Sequence, residues 1–599
     1  MCGLFAVFDR RRGIDRDSLE AATDALAHRG PDARGILILE TPGAVAGFGH
    51  RRLSILDPAA RSDQPFHARD AALVFNGEIY NYRELRAGME AAGEAFATSG
   101  DTEVLHRMLL RRGAAALPEM AGMWAFAYLD EAAGVLTAGR DRYGKKPLFW
   151  WADDTTLCLA SEAKAIFTWL KRQPAMRQAW IDSFLAYGSV FPDPEGETFF
   201  ADVREVPPGC VLTADLAGWT FEQTRWFDMS AYTQDEPADD LEERLRHAVI
   251  SRLVSDRPVG LLLSGGVDSS LILSILAAEG LQDQVRYFVG VTGYADDAAF
   301  AVQCAERAEV AVELLHYDYG PDALDRILTM CRHHEKPFQL TGNSVGMFEL
   351  YNRVSHSGVP VVLDGTGADE VFGGYWDRYL SFACRDAARA DDQAWIDGNR
   401  NGLEADPDTA GLFQKASRAK GRPRPATEAL RFGGARIAEA IASDPVPGAS
   451  VGLAGAMIMD ASRGRLSEWI WQNDRNAMTF GIENRSPFLD HALAPFIRGG
   501  YQRTFGDGFN KILLRRQFDH FLPMPTQWRR QKQGLRWRPG PLIEANPNRV
   551  LDLIAASETA RRTLDLDAWL AEARTDPAVL AGPLTPRLIV LAGLDLAFG

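Results

Sequence analysis

Cysteine is scarce in this sequence of 599 residues, which contains six, far apart from one another: Cys2, Cys158, Cys210, Cys304, Cys331 and Cys384. None of them forms a C-x-x-C pair. This pattern argues against a disulfide framework or a zinc site and is typical of proteins from a reducing compartment. Cys331 is close to His333 and His334, and the three could bind a metal. No second ligand cluster accompanies them, so an ordinary structural role is favoured.

Long apolar runs and excess basic charge are also missing. No stretch reaches the roughly 20 uninterrupted apolar residues of a membrane-spanning helix, and the first residues lack the basic segment of a secretory signal. The 65 Lys and Arg residues are outnumbered by 81 Asp and Glu residues, so the formal net charge is −16. Such a chain is not expected to bind nucleic acid through a broad basic face. We therefore expect a cytoplasmic protein that binds neither membranes nor nucleic acid.

Two successive patterns of strands and helices are present. In the N-terminal third, short apolar runs broken by Gly, Asn, Asp and Pro alternate with helical patterns, which predicts an α+β domain. Further on, the buried runs VGLLL, VRYFVGV and VPVVL alternate with helical segments, the pattern of a parallel sheet with helices on both faces. The polar, Pro-containing stretch between them predicts a linker at 209–236. The predicted domains are therefore 1–208 and 237–599.

Cys2 is the first residue with chemical significance. Met1 precedes a small residue, so removal of the methionine would leave a free α-amino group on Cys2, with an unperturbed pKa near 8. This amine could act as the general base for the thiol of the same residue, and cysteine is a strong nucleophile once it is a thiolate. Taken alone, a small buried cysteine beside Gly3 is the more ordinary interpretation.

Five short motifs reverse that preference. They follow one another in this order: MCG at the start, HRGPD at 28–32, HRRLSI at 50–55, NGEIYNY at 76–82 and SGDTEV at 99–104. Their order and spacing resemble the glutaminase domain of the class II glutamine amidotransferases, over about residues 1–205. The resemblance implies an N-terminal-nucleophile fold, a sandwich of four αββα layers.

The resemblance implies a role for each matched position. Cys2 would attack the amide of glutamine, and Asn76 with the backbone N–H of Gly77 would form the oxyanion hole. A planar guanidinium suits the α-carboxylate of glutamine, and the RLSI motif aligns with Arg52 rather than with Arg51. Two carboxylates would hold the α-ammonium of glutamine: Asp101 and Glu78.

A Gly- and Ser-rich loop, SGGVDSS at 264–270, follows a buried strand and opens a helix. Glycines let backbone amides approach an anion, and hydroxyls and the helix N-terminus add donors. The loop is not a Walker loop, because no Lys follows the glycines. It resembles the SGGxDSS loop of ATP pyrophosphatases, which release pyrophosphate and leave AMP on a carboxylate. The expected ATP-binding residues are Leu263, Ser264, Gly265, Gly266, Asp268, Ser269, Ser270, Val289, Asp364 and Gly365.

Three further segments extend the resemblance to the asparagine synthetase family: DGTGADE at 364–370, ENRSPFLD at 483–490 and RRQKQG at 529–534. In that family the aspartate that matches Asp369 helps to hold magnesium. Asp268 and Asp369 are therefore expected to ligate Mg²⁺, which prefers hard oxygen ligands and substrate phosphates. Lys511 matches a lysine that contacts phosphate, and it would neutralise charge at the breaking α–β bond of ATP.

One position departs from the family. Asparagine synthetases usually carry S-G-E-G-x-D-E in the second loop, where the glutamate is thought to act as a base near the acyl-adenylate, and this sequence has Thr366 there. A hydroxyl cannot take up a proton at neutral pH, so either another group is the base or the acceptor is not aspartate. Glu335, in HHEKPF, is a candidate for the base. An ion-paired glutamate is the alternative interpretation.

The resemblance implies glutamine-dependent amide synthesis, in which ammonia reaches a carboxylate that Mg-ATP has activated as acyl-AMP. L-Aspartate, giving L-asparagine, is the first acceptor expected. Another carboxylate, such as a specialised metabolite or a cell-envelope sugar acid, is the alternative. An intramolecular amide-forming cyclase is less favoured, because such members generally lose the glutaminase cysteine. The sequence does not reveal the oligomeric state, and a homodimer is left open.

Overall fold

The structure, a computed structural model, describes residues 2–188, 190, 193, 195–229, 240–292, 297–317, 320, 322–385, 390–405, 411, 427–442, 452–462, 464–498, 504–506, 508–530, 534 and 538–599. Among these residues, no helix has the length and apolarity needed to span a membrane. The described residues build two six-stranded antiparallel sheets and one five-stranded parallel sheet.

The antiparallel sheets come from the first part of the chain. Their strands are β1 (Gly3–Asp9), β2 (Ala33–Thr41), β3 (Ala44–Arg52), β4 (Phe66–Ala68), β5 (Ala71–Ile79), β6 (Gly122–Asp130), β7 (Val135–Arg140), β8 (Phe149–Ala152), β9 (Thr156–Ala160), β10 (Arg204–Glu205), β11 (Cys210–Asp215) and β12 (Thr220–Arg225). The strand order is β10-β8-β9-β1-β3-β2 in the first sheet and β12-β11-β7-β6-β5-β4 in the second.

Alternation along the strands separates four layers. Side chains of a strand point alternately to its two faces, so Leu4 and Phe8 of β1 pack between the sheets with Val74 of β5. Phe5 and Val7 point to the other face of the first sheet, into a buried cluster beneath the helices that cover this sheet. Helices α1 (Arg16–Asp24), α2 (Tyr82–Ala91), α3 (Asp101–Arg112), α4 (Ala163–Leu170) and α5 (Gln178–Tyr187) follow in chain order. Because α1 and α4 cover the first sheet and α3 the second, the predicted αββα sandwich is confirmed.

The predicted linker begins too early. β11 and β12 form a hairpin that continues the second sheet through β7, and Cys210, Val211 and Leu212 are buried there. The short apolar run after Pro207-Pro208-Gly209 is therefore a strand of the first domain, and only the polar residues after the hairpin remain for a linker. Residues 230–239 lie outside the described residues.

The parallel sheet organises the second domain. Its strands are β13 (Val259–Leu262), β14 (Val285–Val291), β15 (Val312–His316), β16 (Val361–Leu363) and β17 (Glu483–Arg485). They run in the order β15-β14-β13-β16-β17. The order reverses between β13 and β16, and ligands of open α/β sheets bind beyond the carboxyl ends of the strands at such a point. The two loops singled out in the sequence, at 264–270 and 364–370, lie at this position.

Helices accompany the parallel sheet in the described part of the second domain. They are α6 (Leu241–Ser251), α7 (Val267–Ala278), α8 (Ala298–Arg307), α9 (Ala323–His334), α10 (Gly342–Ser355), α11 (Ala368–Phe372), α12 (Trp376–Arg385), α13 (Ala390–Glu404), α14 (Thr427–Ala442), α15 (Gly452–Ser462), α16 (Arg465–Met478) and α17 (Ile512–Gln517). The two predicted architectures, α+β followed by α/β, are both present.

The last helices return to the first domain. They are α18 (Gly540–Ala545), α19 (Pro547–Ala555), α20 (Glu558–Thr563), α21 (Leu566–Ala573), α22 (Pro577–Leu580) and α23 (Leu584–Phe598). The ring of Phe598 meets Phe200 edge-on at a centroid distance of 5.3 Å. One buried cluster contains Phe184 and Phe199 of the first domain together with Leu588 of α23. The two domains therefore share an apolar core, which no sequence motif indicated.

Candidate active sites

Cys2 lies between the two antiparallel sheets. It immediately precedes β1 of the first sheet, and its backbone N–H donates to Oδ1 of Asn76, in β5 of the second sheet, at 3.0 Å. Its carbonyl accepts from Nε of Arg29 at 3.1 Å. The residue is 8% exposed. Burial raises the pKa of the Cys2 thiol, and the nearby Arg52 only partly offsets that effect. Because a thiolate is costly in this site, attack on a substrate needs a base beside the sulfur.

The two residues expected to bind an oxyanion are adjacent in β5. Gly77 lies opposite Trp124 in β6, and a Cβ at this position would come within 2.2 Å of the Met123 carbonyl oxygen. Only glycine therefore allows this close approach of the two strands. Asn76 Nδ2 is 3.5 Å from Ser161 Oγ, the outer limit of a hydrogen bond. That weakly engaged donor, next to Cys2, is available to a developing negative charge.

Arg52 and Arg51 have different surroundings. The guanidinium of Arg52 is buried, and it donates to Asp63 Oδ1 at 2.7 Å and to the carbonyl of Asp57 at 2.6 Å. Arg51 instead donates to the carbonyl of Gly30 at 3.1 Å and reaches the exposed side of α1. The Arg52 guanidinium lies close enough to Cys2 to lower the pKa of its thiol in part, and burial and the loop contacts hold its planar fork in place. The sequence-based choice of Arg52 for the glutamine carboxylate stays a prediction.

Carboxylates gather around Glu78, whose charge acts on the Cys2 thiol. Asp101, at the start of α3, accepts the backbone N–H of Ile79 at 2.9 Å, and burial raises the pKa of Asp101 to about 6. Burial also raises the pKa of Glu78 well above its ordinary value, and the neighbouring Glu483 adds to this shift. Glu78 Oε2 is 3.5 Å from Nη2 of Arg485, which belongs to the second domain. Buried carboxylates outnumber the nearby guanidinium, so an incoming ammonium would be stabilised here.

A cavity of about 410 Å³ opens at the carboxyl ends of β13, β14 and β16. This volume is within the range of pockets for small molecules and cofactors. Eight of the residues predicted for ATP or metal line it: Leu263, Ser264, Asp268, Ser269, Val289, Asp364, Gly365 and Asp369. Gly265 and Gly266 line a smaller cavity beside it. Ser270 lines neither in the described part of the chain, and its fully buried hydroxyl donates to Cys304 Sγ at 3.4 Å.

Glycines bring the two loops together. Gly265 has φ +70°, and a Cβ there would lie 2.5 Å from the Asp297 carbonyl oxygen. Gly365 is in contact with the other loop, because its Cβ would lie 2.7 Å from Cβ of Asp268. Gly266 is the N-cap of α7, so the N–H groups of the first turn, which have no acceptor within the helix, lie beside the glycine-rich loop. This arrangement is typical of a phosphate-binding site.

Lys511 connects the predicted metal ligands. Its ammonium lies 2.6 and 2.7 Å from the two carboxylate oxygens of Asp268 and 2.7 Å from Oδ1 of Asp369. Two carboxylates from different loops thus converge on one cation. Hard oxygen ligands in this arrangement suit Mg²⁺ in the presence of substrate phosphates, so the residues fit the ion that the sequence predicts.

Thr366 is engaged within its own loop. Its hydroxyl donates to Asp364 Oδ2 at 2.7 Å, and Asn473 Nδ2 donates to the Thr366 hydroxyl at 2.7 Å. Tyr375 and Trp469 also line the cavity, and the Tyr375 hydroxyl donates to Glu370 Oε1 at 2.6 Å. The sequence gave no signal for Asn473 or Trp469, because both lie on α16, more than 90 residues beyond the loop.

The position of Glu335 decides between the two interpretations that the sequence left for it. Glu335 does not line the nucleotide cavity: it accepts the N–H of Lys164 at 2.7 Å and pairs with Arg475 Nη2 at 3.0 Å. The ion-paired interpretation of Glu335 is therefore correct, and its assignment as the base is wrong. This position follows from α9, which carries Glu335 to the contact between the domains.

The cysteine–histidine trio does not converge either. Cys331 is buried against the carbonyl of Val590. In the described residues, His333 instead lies with His28 and Glu162, their ligand atoms within 4.8 Å of one another. The Lys164 ammonium contacts both His333 Nδ1 and Glu162, so each of these two side chains has a partner within the protein.

Two family models match the chain: a glutamine amidotransferase domain over residues 1–227 and asparagine synthase over residues 240–576. The chain belongs to the asparagine synthase family. Asparagine synthetase [glutamine-hydrolyzing] 1 of Bacillus subtilis is 30% identical over 388 residues, which cover 63% of this chain and 59% of that protein. Asparagine synthetase B [glutamine-hydrolyzing] of Escherichia coli is 32% identical over 404 residues, covering 63% and 65%.

A third relative carries a different name. Amidase chry2 of Gibberella zeae is 30% identical over 416 residues, covering 63% of this chain and 58% of that protein. The chain thus spans less than two thirds of the length of each of these three relatives.

Proposed function

We propose that the protein makes an amide from a carboxylate, with ATP as the activating substrate and glutamine as the nitrogen donor. The observation that carries this proposal is the presence of both halves of the chemistry in one chain. Cys2, bonded to Asn76 beside a carboxylate cluster, suits glutamine hydrolysis, and the glycine-rich loop beside Asp268 and Lys511 suits ATP. The match to both family models supports the same assignment.

The first half-reaction takes place at Cys2. Its sulfur attacks the amide carbon of glutamine, and the tetrahedral oxyanion is stabilised by Asn76 Nδ2 and the N–H of Gly77. Collapse of this intermediate breaks the C–N bond and releases ammonia, and water then hydrolyses the glutamyl thioester to glutamate. Since burial raises the pKa of the thiol, the α-amine exposed by removal of Met1 would take up its proton and pass it to the departing nitrogen, which leaves as ammonia.

The second half-reaction takes place in the nucleotide cavity. An oxygen of the acceptor carboxylate attacks the α-phosphorus of ATP, pyrophosphate leaves, and an acyl-adenylate forms. Ammonia then attacks the acyl carbon and AMP leaves. Lys511 is placed to neutralise charge on the departing pyrophosphate, and Mg²⁺ bound by Asp268 and Asp369 would neutralise charge on the phosphates.

The acceptor is the finer part of the proposal. L-Aspartate, giving L-asparagine, is proposed first because relatives that match 63% of the chain are named asparagine synthetases. The rival is another carboxylate. It is favoured by Thr366, whose hydroxyl is held by Asp364 and Asn473 where the family has a glutamate.

A panel of carboxylates tests both levels. The protein is incubated with glutamine, Mg-ATP and each acid in turn, with detection of pyrophosphate and of amides by mass. Asparagine is the expected product with aspartate, and a different amide in its place would overturn the aspartate assignment. Cys2→Ala should lose synthesis from glutamine and keep synthesis from ammonium salts. Unchanged activity with both donors would show that Cys2 is not the nucleophile.

A further inference from the structure

A second cavity, of about 450 Å³, lies between the two domains. Its walls come from residues 140–149, 195–208 and 225–229 of the first domain and from α15, α16 and the two residues after α9 of the second. We call it the interdomain cavity. Among the described residues it shares no lining residue with the nucleotide cavity, and neither Cys2 nor Glu78 lines it. Its volume is within the range of pockets for small molecules.

Helix α16 separates the two cavities. Trp469 and Asn473 line the nucleotide cavity, whereas Trp471 and Arg475 line the interdomain cavity. Residues four apart share one face of a helix, and residues two apart lie about 200° around it. The two pairs are therefore on opposite faces of α16. The interdomain cavity is thus a separate place in the fold, behind the helix that contributes to the nucleotide cavity.

The buried carboxylates on the walls of the interdomain cavity already have cationic partners. In the described part of the chain there are three such pairs: Glu205 with Arg140 at 2.9 Å, Glu335 with Arg475 at 3.0 Å and Asp474 with Arg29 at 2.9 Å. Each of these negative charges is neutralised within the protein. The interior of the cavity therefore offers little to a cationic ligand.

Lys336, the second residue after α9, lines the same cavity without such a partner. It is 6% exposed, and its ammonium makes no hydrogen bond or ion pair with the other residues that the structure describes. The ammonium lies over the ring of Trp471, 4.1 Å from the ring centroid. Trp471 is held in place by its indole N–H, which donates to the carbonyl of His334 at 2.9 Å. A cation–π contact offsets only part of the cost of burying an ammonium, so an anion beside Lys336 would be stabilised.

Two carboxylates act on Lys336 without pairing with it. Burial lowers the pKa of Lys336 to about 8, and the charges of Glu205 and Glu468 offset part of this shift. Glu205 is bonded to Arg140 instead, and Glu468 accepts from Gln472 at 3.3 Å. Burial raises the pKa of the Glu468 carboxyl, so its charged form is costly. At neutral pH Lys336 is therefore still a cation, and neither carboxylate is a direct counter-ion.

Aromatic side chains form another part of the wall. Trp180, Phe199 and Trp471 line the interdomain cavity, and Phe149 beside them meets the ring of Trp471 edge-on at a centroid distance of 5.7 Å. Such surfaces suit a planar ring, which packs on them by stacked or edge-on contacts. A single ammonium suits an anion with one negative charge, as in a carboxylate, whereas a phosphate group carries closer to two.

We propose that the interdomain cavity is a binding site for a planar aromatic monocarboxylate. Its carboxylate pairs with the Lys336 ammonium, and its ring packs against the aromatic wall formed by Trp180, Phe199 and Trp471. The inference does not rest on the proposed function, because the cavity is apart from the residues assigned to glutamine and ATP.

Pairs of acids and amides of the same shape test the ligand class. Benzoate, phenylacetate and indole-3-acetate are each titrated calorimetrically into the full chain at neutral pH, alongside benzamide, phenylacetamide and indole-3-acetamide. At least one acid should bind about ten-fold or more tightly than its amide, because only the acid makes a charge-assisted hydrogen bond to Lys336. Equal affinities within every pair, or binding of none of the three acids, would overturn the proposal.

Two lysine variants test the position of the ligand. Lys336→Met removes the charge and keeps the apolar stem over Trp471, so it should weaken binding of the acid about ten-fold or more and leave binding of the amide unchanged. The matched control is Lys146→Met. Lys146 is another fully buried lysine with a pKa lowered to about 8 and no hydrogen bond to its ammonium among the described residues, and it does not line the cavity. This control should keep the affinity for the acid.

Thermal melts establish that both variants are folded. If folded Lys336→Met binds the acid as tightly as the unaltered protein does, the acid occupies another place, such as the nucleotide cavity, and the proposal is wrong. An equal loss of affinity in Lys146→Met would also contradict the assignment to Lys336. The comparison of acids with amides uses the unaltered protein, so it decides the ligand class even if Lys336→Met does not fold.

Discussion

Replacing Arg29 by alanine should destabilise the contact between the two domains. The side chain is fully buried. Its Nη1 lies 2.8 Å from Glu162 Oε1 and 2.9 Å from Asp474 Oδ2, and its Nη2 lies 3.1 Å from Asp474 Oδ1. Burial alone would raise the pKa of Asp474, but Arg29 lowers it below its ordinary value. The Asp474 carboxylate is therefore held charged by a residue of the other domain.

The expected loss of stability depends on the partners that remain for Glu162 and Asp474 after Arg29 is removed. Glu162 retains Arg475, at 2.7 Å, and Lys164 as partners, whereas Asp474 loses its bidentate partner. Removing one member of a buried pair costs about 3–5 kcal/mol, because the other charge stays in a poorly solvated site. The double variant Arg29→Met with Asp474→Leu removes both charges and should cost less than Arg29→Ala alone.

Urea unfolding of each variant measures these changes in free energy. The matched control is Arg34→Ala, which breaks surface pairs with Asp24 and Glu20 at 2.8 and 3.2 Å. The Arg34 side chain is 38% exposed, so its loss should cost about 1 kcal/mol or less. If Arg29→Ala costs no more than Arg34→Ala, the pair with Asp474 is solvated and the reasoning fails. A double variant less stable than the single one would equally contradict it.

Two further predictions concern the separate sites. The KM for glutamine should rise as the pH falls through about 6, because burial raises the pKa of Asp101 to about 6 and the neutral carboxyl group cannot hold the α-ammonium. Initial rates measured between about pH 5 and 8 test this role. A KM that stays constant over that range would contradict it. Lys511→Met should slow pyrophosphate release with ammonia as donor by about 100-fold or more, since a buried cation beside the phosphates is lost. Glutamine hydrolysis by the same variant should remain, and its loss would indicate a general folding defect instead.

The sequence anticipated those parts of the site that consist of short contiguous motifs. Cys2 and Asn76 were identified through motifs that resemble those of the class II glutamine amidotransferases, and the structure brings them into contact because β1 and β5 lie in facing sheets. Likewise, the glycine-rich loop follows a buried strand, so the position of a parallel-sheet crevice could be inferred. The αββα layering and the parallel sheet are both present.

What the sequence could not anticipate depends on long-range packing. Glu335 lies in a motif that resembles an active-site segment, but only the path of α9 decides that it pairs with Arg475. The prolines before the β11–β12 hairpin indicated a linker, although β11 is a buried strand that extends the second sheet. The contacts of Arg29 with Asp474 and of Glu78 with Arg485 join residues more than 400 positions apart. No periodicity in one chain segment predicts such pairs.

The return of the C-terminal helices to the first domain has a practical consequence. Phe200 and Phe598 lie in one buried cluster, so cutting the chain between the domains would expose apolar surface on both fragments. A separately expressed glutaminase fragment should therefore be prone to aggregation, and co-expression of the two fragments should rescue it by reassembly. Modular exchange of glutaminase domains between relatives would accordingly need the last helices to be exchanged as well.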